Sequence, residues 1–389
     1  MQLLLFVLGF LLFIGLVLIH EWGHYIAARR NGVVVEEFGL GFPPRAWGKK
    51  LKDGMVLSLN WLPLGGFVKL KGESDSDKRK GSFGAASLPA KTQIMLAGVT
   101  MNLIAGLLIL TILALVGLPK LIDNQFTVAS DTKISQQSVA AGFVEPGSPA
   151  DKAGLTSRDS IKQITSPKGT LIITSTEQLK AATKSLEGQK VQITYEHRGQ
   201  EFKKDATLLS RNEVQKSLST DNPKGHLGVV PLELQVRRST WSAPVVALGF
   251  TKQLVVLTMQ GLGKALGGLG STIAGLLTGN QTAREQGQAK ASSQVGGPVA
   301  IMAVLWGGGS LGINFILMII AVLSLTLALI NILPIPALDG GRLVVTLVSR
   351  KLLKNPISRA AEERIHGTGM AVLLALVLLI TIVDVKRFF

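Results

Sequence analysis

His20, Glu21 and His24 have the residue types and spacing to hold a metal ion and to use it. Two histidines four positions apart lie one turn apart on one helix face, so both imidazoles can reach one zinc. Glu21, beside the first of them, is placed to take a proton from a water that the metal acidifies. This His-Glu-x-x-His arrangement is that of metallohydrolases. A bare string of this kind also fits a solvated helix face, but here it follows an apolar run that begins at Met1. Three ionisable groups at the end of a membrane-length run are costly in hydrocarbon and mark function.

A second stretch, Asn331-Ile-Leu-Pro-Ile-Pro-Ala-Leu-Asp339-Gly-Gly-Arg342, combines polar groups with an irregular backbone. Pro334 and Pro336 cannot continue a helix ladder, and at membrane depth such a backbone is tolerated only against protein or water. Asp339 is thereby held on a turn. The chain contains no cysteine, so thiolate ligands are excluded and any zinc is held by histidine and carboxylate.

The elements that must position these residues follow from composition. Hydrophobic residues make up 47% of 389, too many for an ordinary soluble protein, while the middle of the chain is too charged to be embedded. The expected fold is a polytopic α-helical membrane protein with about four transmembrane helices, a membrane-associated β-hairpin and an inserted β-rich domain. The first half of the core covers 1–119, with spans at 1–28 and 92–116 and the hairpin at 55–70, read as two short strands around Leu62 to Gly66. Gly98 and Asn102 share a helix face, which reads as close helix packing plus one hydrogen bond. Glu73 to Lys80 reads as a charged, flexible connector. The β-rich domain is expected at 124–212, where short apolar runs such as Thr170 to Thr174 alternate with turns. Gly147-Ser-Pro-Ala-Asp-Lys-Ala-Gly154 within it resembles the start of a helix in protease-associated PDZ domains.

Residues 241–280 are apolar but rich in glycine and carry Lys252 and Lys264, so amphipathic helices on the membrane surface are expected there. The second half of the core covers 296–389, with spans at 313–332 and 369–385. Arg29 and Arg30 put the end of the first span in the cytoplasm, and an outer β-rich domain makes the third span run the same way. Asp339 then emerges at the level of His20 and His24. Lys386 and Arg387 strain this topology.

With both motifs in place, the chain resembles the site-2 protease family of intramembrane zinc proteases, in the bacterial branch that includes the regulator of sigma-E protease. The likeness is carried by His20-Glu21-x-x-His24, the hairpin, a central PDZ domain, Gly296-Gly-Pro298, and Asn331-x-x-Pro334-x-Pro336-x-Leu-Asp339-Gly. It implies His20, His24 and Asp339 as ligands of one zinc, Glu21 as general base, and Asn331 as holder of substrate backbone or oxyanion. Asn102 matches a family asparagine near the site, although Val99 stands where relatives often have proline. The implied activity is hydrolysis of peptide bonds in transmembrane segments such as those of anti-sigma factors or signal-peptide remnants. The implied setting is the bacterial cytoplasmic membrane, with the site toward the cytoplasm and the PDZ domain outside, where its groove could take a peptide.

Two other classes compete. A membrane-anchored PDZ adaptor without catalysis explains neither Glu21 nor Asp339 beside paired prolines. A metal transporter needs ionisable groups spread across the spans, whereas here they gather at one depth. The net charge of +16 points to anionic lipid headgroups of the bilayer as partner, and no nucleic acid is expected, because the basic residues lack an aromatic-interleaved binding motif.

Overall fold

The computed structural model describes residues 1–197, 199–217, 224–292, 296–353 and 357–388; the sequence from Gln281 to Ser293 reads as a polar connector, and its last residue, Ser293, lies outside them. The chain divides into two compact units, Met1–Ile112 with Pro244–Phe389, and Leu113–Ala243.

In chain order, α1 (Gln2–Arg30) is followed by β1 (Val35–Lys50), β2 (Val56–Leu70) and α2 (Leu88–Val116). β3 (Leu118–Pro119), β4 (Lys133–Val144), α3 (Pro149–Lys152), β5 (Ser160–Ser166) and β6 (Gly169–Ile172) come next. α4 (Thr176–Ser185), β7 (Lys190–His197), β8 (Gln200–Thr207), α5 (Arg211–Ser217) and β9 (Val229–Arg238) complete the smaller unit. The chain closes with α6 (Ala243–Thr278), α7 (Gln281–Ser292), α8 (Pro298–Gly309), α9 (Ile313–Asn331), α10 (Asp339–Leu347), a π turn (Val348–Leu352) and α11 (Arg359–Phe388).

Among the described residues, α1, α2, α6, α9 and α11 are long and apolar enough to cross a membrane. The stretch expected as surface helices is thus one helix of 36 residues, α6. In α1, leucine, phenylalanine, valine and isoleucine run without proline to Arg29 and Arg30, and the helix stops at Asn31. Leu16 of α1 packs with Leu305 of α8 and with Ile316 and Ile320 of α9 in a dry cluster. A Cβ on Gly9 would meet Ile316, near the start of α9, whereas His20 lies against Asp339, beyond its end. α1 and α9 therefore run parallel.

β1 and β2 form a bent antiparallel pair. Glu37 to Leu40 pair with 56–59 on one side and with 66–69 on the other. The two short strands flanking Leu62 to Gly66 are therefore not each other's partners, since residues 37–40 stand between them. Valine and phenylalanine at 33–38 carry the strand propensity for this insertion, and Val33, Val35 and Phe38 are buried with Leu70.

The Glu73 to Lys80 stretch is tied down. Asp75 is buried against Lys91 of α2, accepts from Arg350 Nε at 2.7 Å, and its own N–H donates to Glu362 of α11 at 2.9 Å. Burial pushes the Asp75 carboxyl up, but hydrogen bonds from Arg350 and Lys91 outweigh it and hold the group below the usual range. Paired charge, which local sequence does not reveal, ties this connector to α2, the π turn and α11.

The smaller unit is an antiparallel sheet in the order β3-β9-β4-β5-β7-β8, with β6 on β5. Ile161, Ile164, Ile193 and Leu155 lie in its core, each worth about 1.5–3 kcal/mol of burial. The Gly-Ser-Pro stretch starts α3, with Ser148 capping and Pro149 in the first turn. The sheet extends past 212, because β9 returns to pair along β4. Its entry and exit are stapled: Leu118 pairs with Arg237, Ser239 N–H donates to Ala114 O, and Asp131 accepts from Thr240 and Ser242.

Candidate metal centre

His20 and His24 project from one face of α1 with their ring centroids 4.9 Å apart. Asp339 opens α10, where the helix N-terminus favours a carboxylate. Its Oδ2 lies 3.1 Å from His20 Nε2 and 3.2 Å from His24 Nε2, and the two Nε2 atoms are 3.2 Å apart. A tetrahedral zinc with bonds near 2.0–2.1 Å separates its ligand atoms by about 3.4 Å. The triangle fits that ion within a few tenths of an ångström.

The protons give an independent test. His24 Nδ1 is 2.7 Å from the Ile94 carbonyl, which only accepts, so Nδ1 carries the proton and Nε2 offers a lone pair. His20 Nδ1 faces the Asn102 amide nitrogen at 3.3 Å, while buried Asn102 Oδ1 has no partner. Amide oxygen and nitrogen are assigned from the hydrogen-bond network. Turning the amide seats Oδ1 on His20 Nδ1–H and leaves His20 Nε2 as a second lone pair. Asp339 Oδ2, buried and without a hydrogen bond, is the third acceptor. Two imidazole nitrogens and a carboxylate oxygen within 3.2 Å of one another form a donor set that suits a zinc ion, and both imidazole Nδ1 atoms have a partner outside it.

Close backbone approach makes this cradle. A Cβ on Gly98 would stand 2.5 Å from His24 Nε2 and 2.6 Å from His20 Nε2, so glycine lets α2 reach the imidazoles. Gly340 and Gly341 likewise lie against the carbonyls of Ile332 and Ile335. The turn before them is folded by Ile335 N–H to Leu333 O and Leu338 N–H to Ile335 O, with Ala337 at φ 86°. Strain of this kind, in a residue with a side chain, is maintained by its surroundings and clusters at functional sites.

Glu21 follows His20 on α1 and is half-buried against β2, since a Cβ on Gly66 would stand 3.0 Å from its Cγ. Asn331 is the last residue of α9 and half-buried; among the described residues no hydrogen bond joins it to the three acceptors. The residues alone read Gly98 and Asn102 as helix packing, and the family resemblance placed Asn102 near the site without a role. The available signal was their spacing of four, which matches that of His20 and His24. A cavity of about 820 Å³ borders Asp339 and is lined by polar groups including Glu73, Asp77, Arg79, Glu362 and His366.

The sequence matches peptidase family M50 over residues 8–376. It is 28% identical over 379 residues to a Clostridium perfringens protein named as a candidate zinc metalloprotease, covering 97% of this chain and 98% of that one. Similarly named proteins of Campylobacter jejuni and a Nostoc species are each 29% identical, covering 96% and 93% of this chain and 90% of their own lengths. The chain belongs to peptidase family M50, a family of zinc metallopeptidases.

Proposed function

We propose that the protein is an intramembrane endopeptidase, of the branch that includes the regulator of sigma-E protease, acting on peptide bonds within or beside transmembrane segments of other proteins. The observation that carries this reading is the triangle of acceptor atoms from His20 and His24, on the membrane-length helix α1, and Asp339, shortly after the end of the membrane-length helix α9. His20, His24 and Asp339 would hold the zinc, which supplies Lewis acidity and lowers the pKa of a water to about 7. Glu21 takes the proton from that water and passes it to the leaving amine, a role whose loss typically costs about 10²- to 10⁴-fold. Asn331 donates to the substrate carbonyl as its oxygen gains charge.

The substrate must be extended, because a helix hides its scissile bond. Residues 66–70 pair only with β1 among the described strands, and Gly66 of this edge lies against Glu21. An added substrate strand there is the fitting mode of binding. Water reaches the site through the charged cavity beside Asp339.

Four spans are proposed, α1, α2, α9 and α11, with α6 along the surface, in a bacterial cytoplasmic membrane. The parallel course of α1 and α9 supports a common cytoplasmic level for the three ligands. The smaller unit is proposed as a single PDZ domain on the outer side, which gates access or takes a peptide.

The test is zinc content together with cleavage of a model single-span substrate in detergent. The intact protein should hold about one zinc and cleave, Glu21→Gln should keep zinc without activity, and Asp339→Ala should lose zinc. A protein that holds no metal, with substitutions that change nothing, is the adaptor instead.

A further inference from the structure

The first turn of α10 carries the ligand Asp339 and has few anchors of its own. Leu338 at its N-cap makes no side-chain hydrogen bond, and Gly340 and Gly341 have no side chains. Within residues 339–342, the side chains available to fix the turn are Asp339 itself and Arg342. Arg342 lies over the ring of buried Phe83, its Cζ 5.3 Å from the centroid, and its Nη2 donates to Glu73 O at 3.1 Å and to Glu73 Oε2 at 3.3 Å. The other carboxylate oxygen of Glu73 accepts from the Leu70 N–H at 2.9 Å. Leu70 is the last residue of β2, the strand whose Gly66 lies against Glu21.

We propose that Glu73 is a positioning residue that joins the end of the β2 strand to the Asp339 ligand, one carboxylate oxygen on each, through Arg342. The hairpin edge beside Glu21 and the third ligand are then set by one side chain. Asp75, two residues further on, holds the π turn that follows α10 through Ser349 and Arg350, with its own carboxylate, Lys91 and Ser349 buried and Arg350 half-buried. The Glu73 pair is partly exposed, with side-chain accessibilities of 40% for Glu73 and 30% for Arg342, which suits adjustment better than bulk stability. The inference rests on the zinc reading of His20, His24 and Asp339.

The experiment uses the full-length protein in detergent with Glu73→Gln, Arg342→Lys and the double variant. Zinc affinity is read by chelator competition, ligand geometry by the visible bands of the cobalt-loaded protein, and the β2 end by amide hydrogen exchange at Leu70. Each single variant is expected to weaken zinc binding about tenfold and to shift the cobalt bands. The double variant should be no weaker than the worse single, because the two residues act as one unit. Arg342→Lys, distant in sequence, should speed Leu70 exchange about fivefold, the weakening of one hydrogen bond. Unchanged zinc affinity and cobalt bands, losses that simply multiply in the double variant, or unchanged Leu70 exchange in Arg342→Lys would each overturn the coupling. If the intact protein binds neither metal, the zinc reading fails, and the exchange measurement still decides whether Glu73 joins the two elements.

Discussion

Two clusters of ionisable side chains are gathered in the larger unit, and they solve the problem of buried charge in opposite ways. Around Asp75 the protein supplies its own cations, Lys91 and Arg350, together with the Ser349 hydroxyl as a donor. Around Asp339 it gathers two imidazole nitrogens and the carboxylate with no lysine or arginine among them, while His24 Nδ1 faces the Ile94 carbonyl and His20 Nδ1 the Asn102 amide. A cluster that balances its own charge needs nothing further and acts as a latch. One that gathers acceptors without a lysine or arginine among them has the donor set a metal ion would take, which is the physical difference between a latch and a candidate metal site.

The comparison breaks first at Gly98. Gly98→Ala places a Cβ in the space between α2 and the two imidazoles, so zinc affinity should fall by about a hundredfold or more, with activity lost alongside it. Chelator competition measures this, and tight zinc binding in the variant would mean that the cradle is looser than the contacts imply.

Next in size is Asp75→Asn, which leaves buried Lys91 without its partner carboxylate and should cost about 3–5 kcal/mol in denaturation. The protein that remains folded should keep its zinc, which separates latch from site. Because the folded-state pKa of Asp75 is depressed, its contribution is present above the ordinary aspartate range and is lost as pH falls through the lower folded value. The stability gap between the intact protein and the variant should therefore persist at neutral pH and close in acid below 3.8. A gap that closed near neutrality would break the assignment.

The smallest effect sharpens the comparison. Asn102→Ala removes the acceptor assigned to His20 Nδ1–H and should raise the zinc dissociation rate about tenfold without unfolding the protein. An unchanged rate would show that His20 needs no such partner.

Much of this was legible in the sequence. The spacing of His20 and His24, Glu21 between them, and Asp339 after paired prolines are local patterns, because helix periodicity and proline geometry act over a few residues. The apolar runs marked long apolar helices for the same reason, although 241–280, expected as surface helices, is also long and apolar enough to cross a membrane. Less local features were not legible. Residues 37–40 entering between two strands of the hairpin, and β9 returning to β4 to extend the smaller unit, depend on pairing between distant segments. The charged stretch at Glu73 to Lys80 reads as a flexible connector from composition, and the contacts of its Asp75 with Lys91, Arg350 and Glu362 come from segments far away in the chain.

The sequence by itself determined which residues could bind and activate a metal, since residue type and short-range spacing suffice for that. Only the tertiary structure decided that Gly98 gives the imidazoles their room, that Asn102 and the Ile94 carbonyl stand against their Nδ1 atoms, and that Glu73 reaches both a strand end and the turn bearing Asp339. Those roles depend on distances between segments far apart in the chain, which are fixed by packing and not by any local pattern.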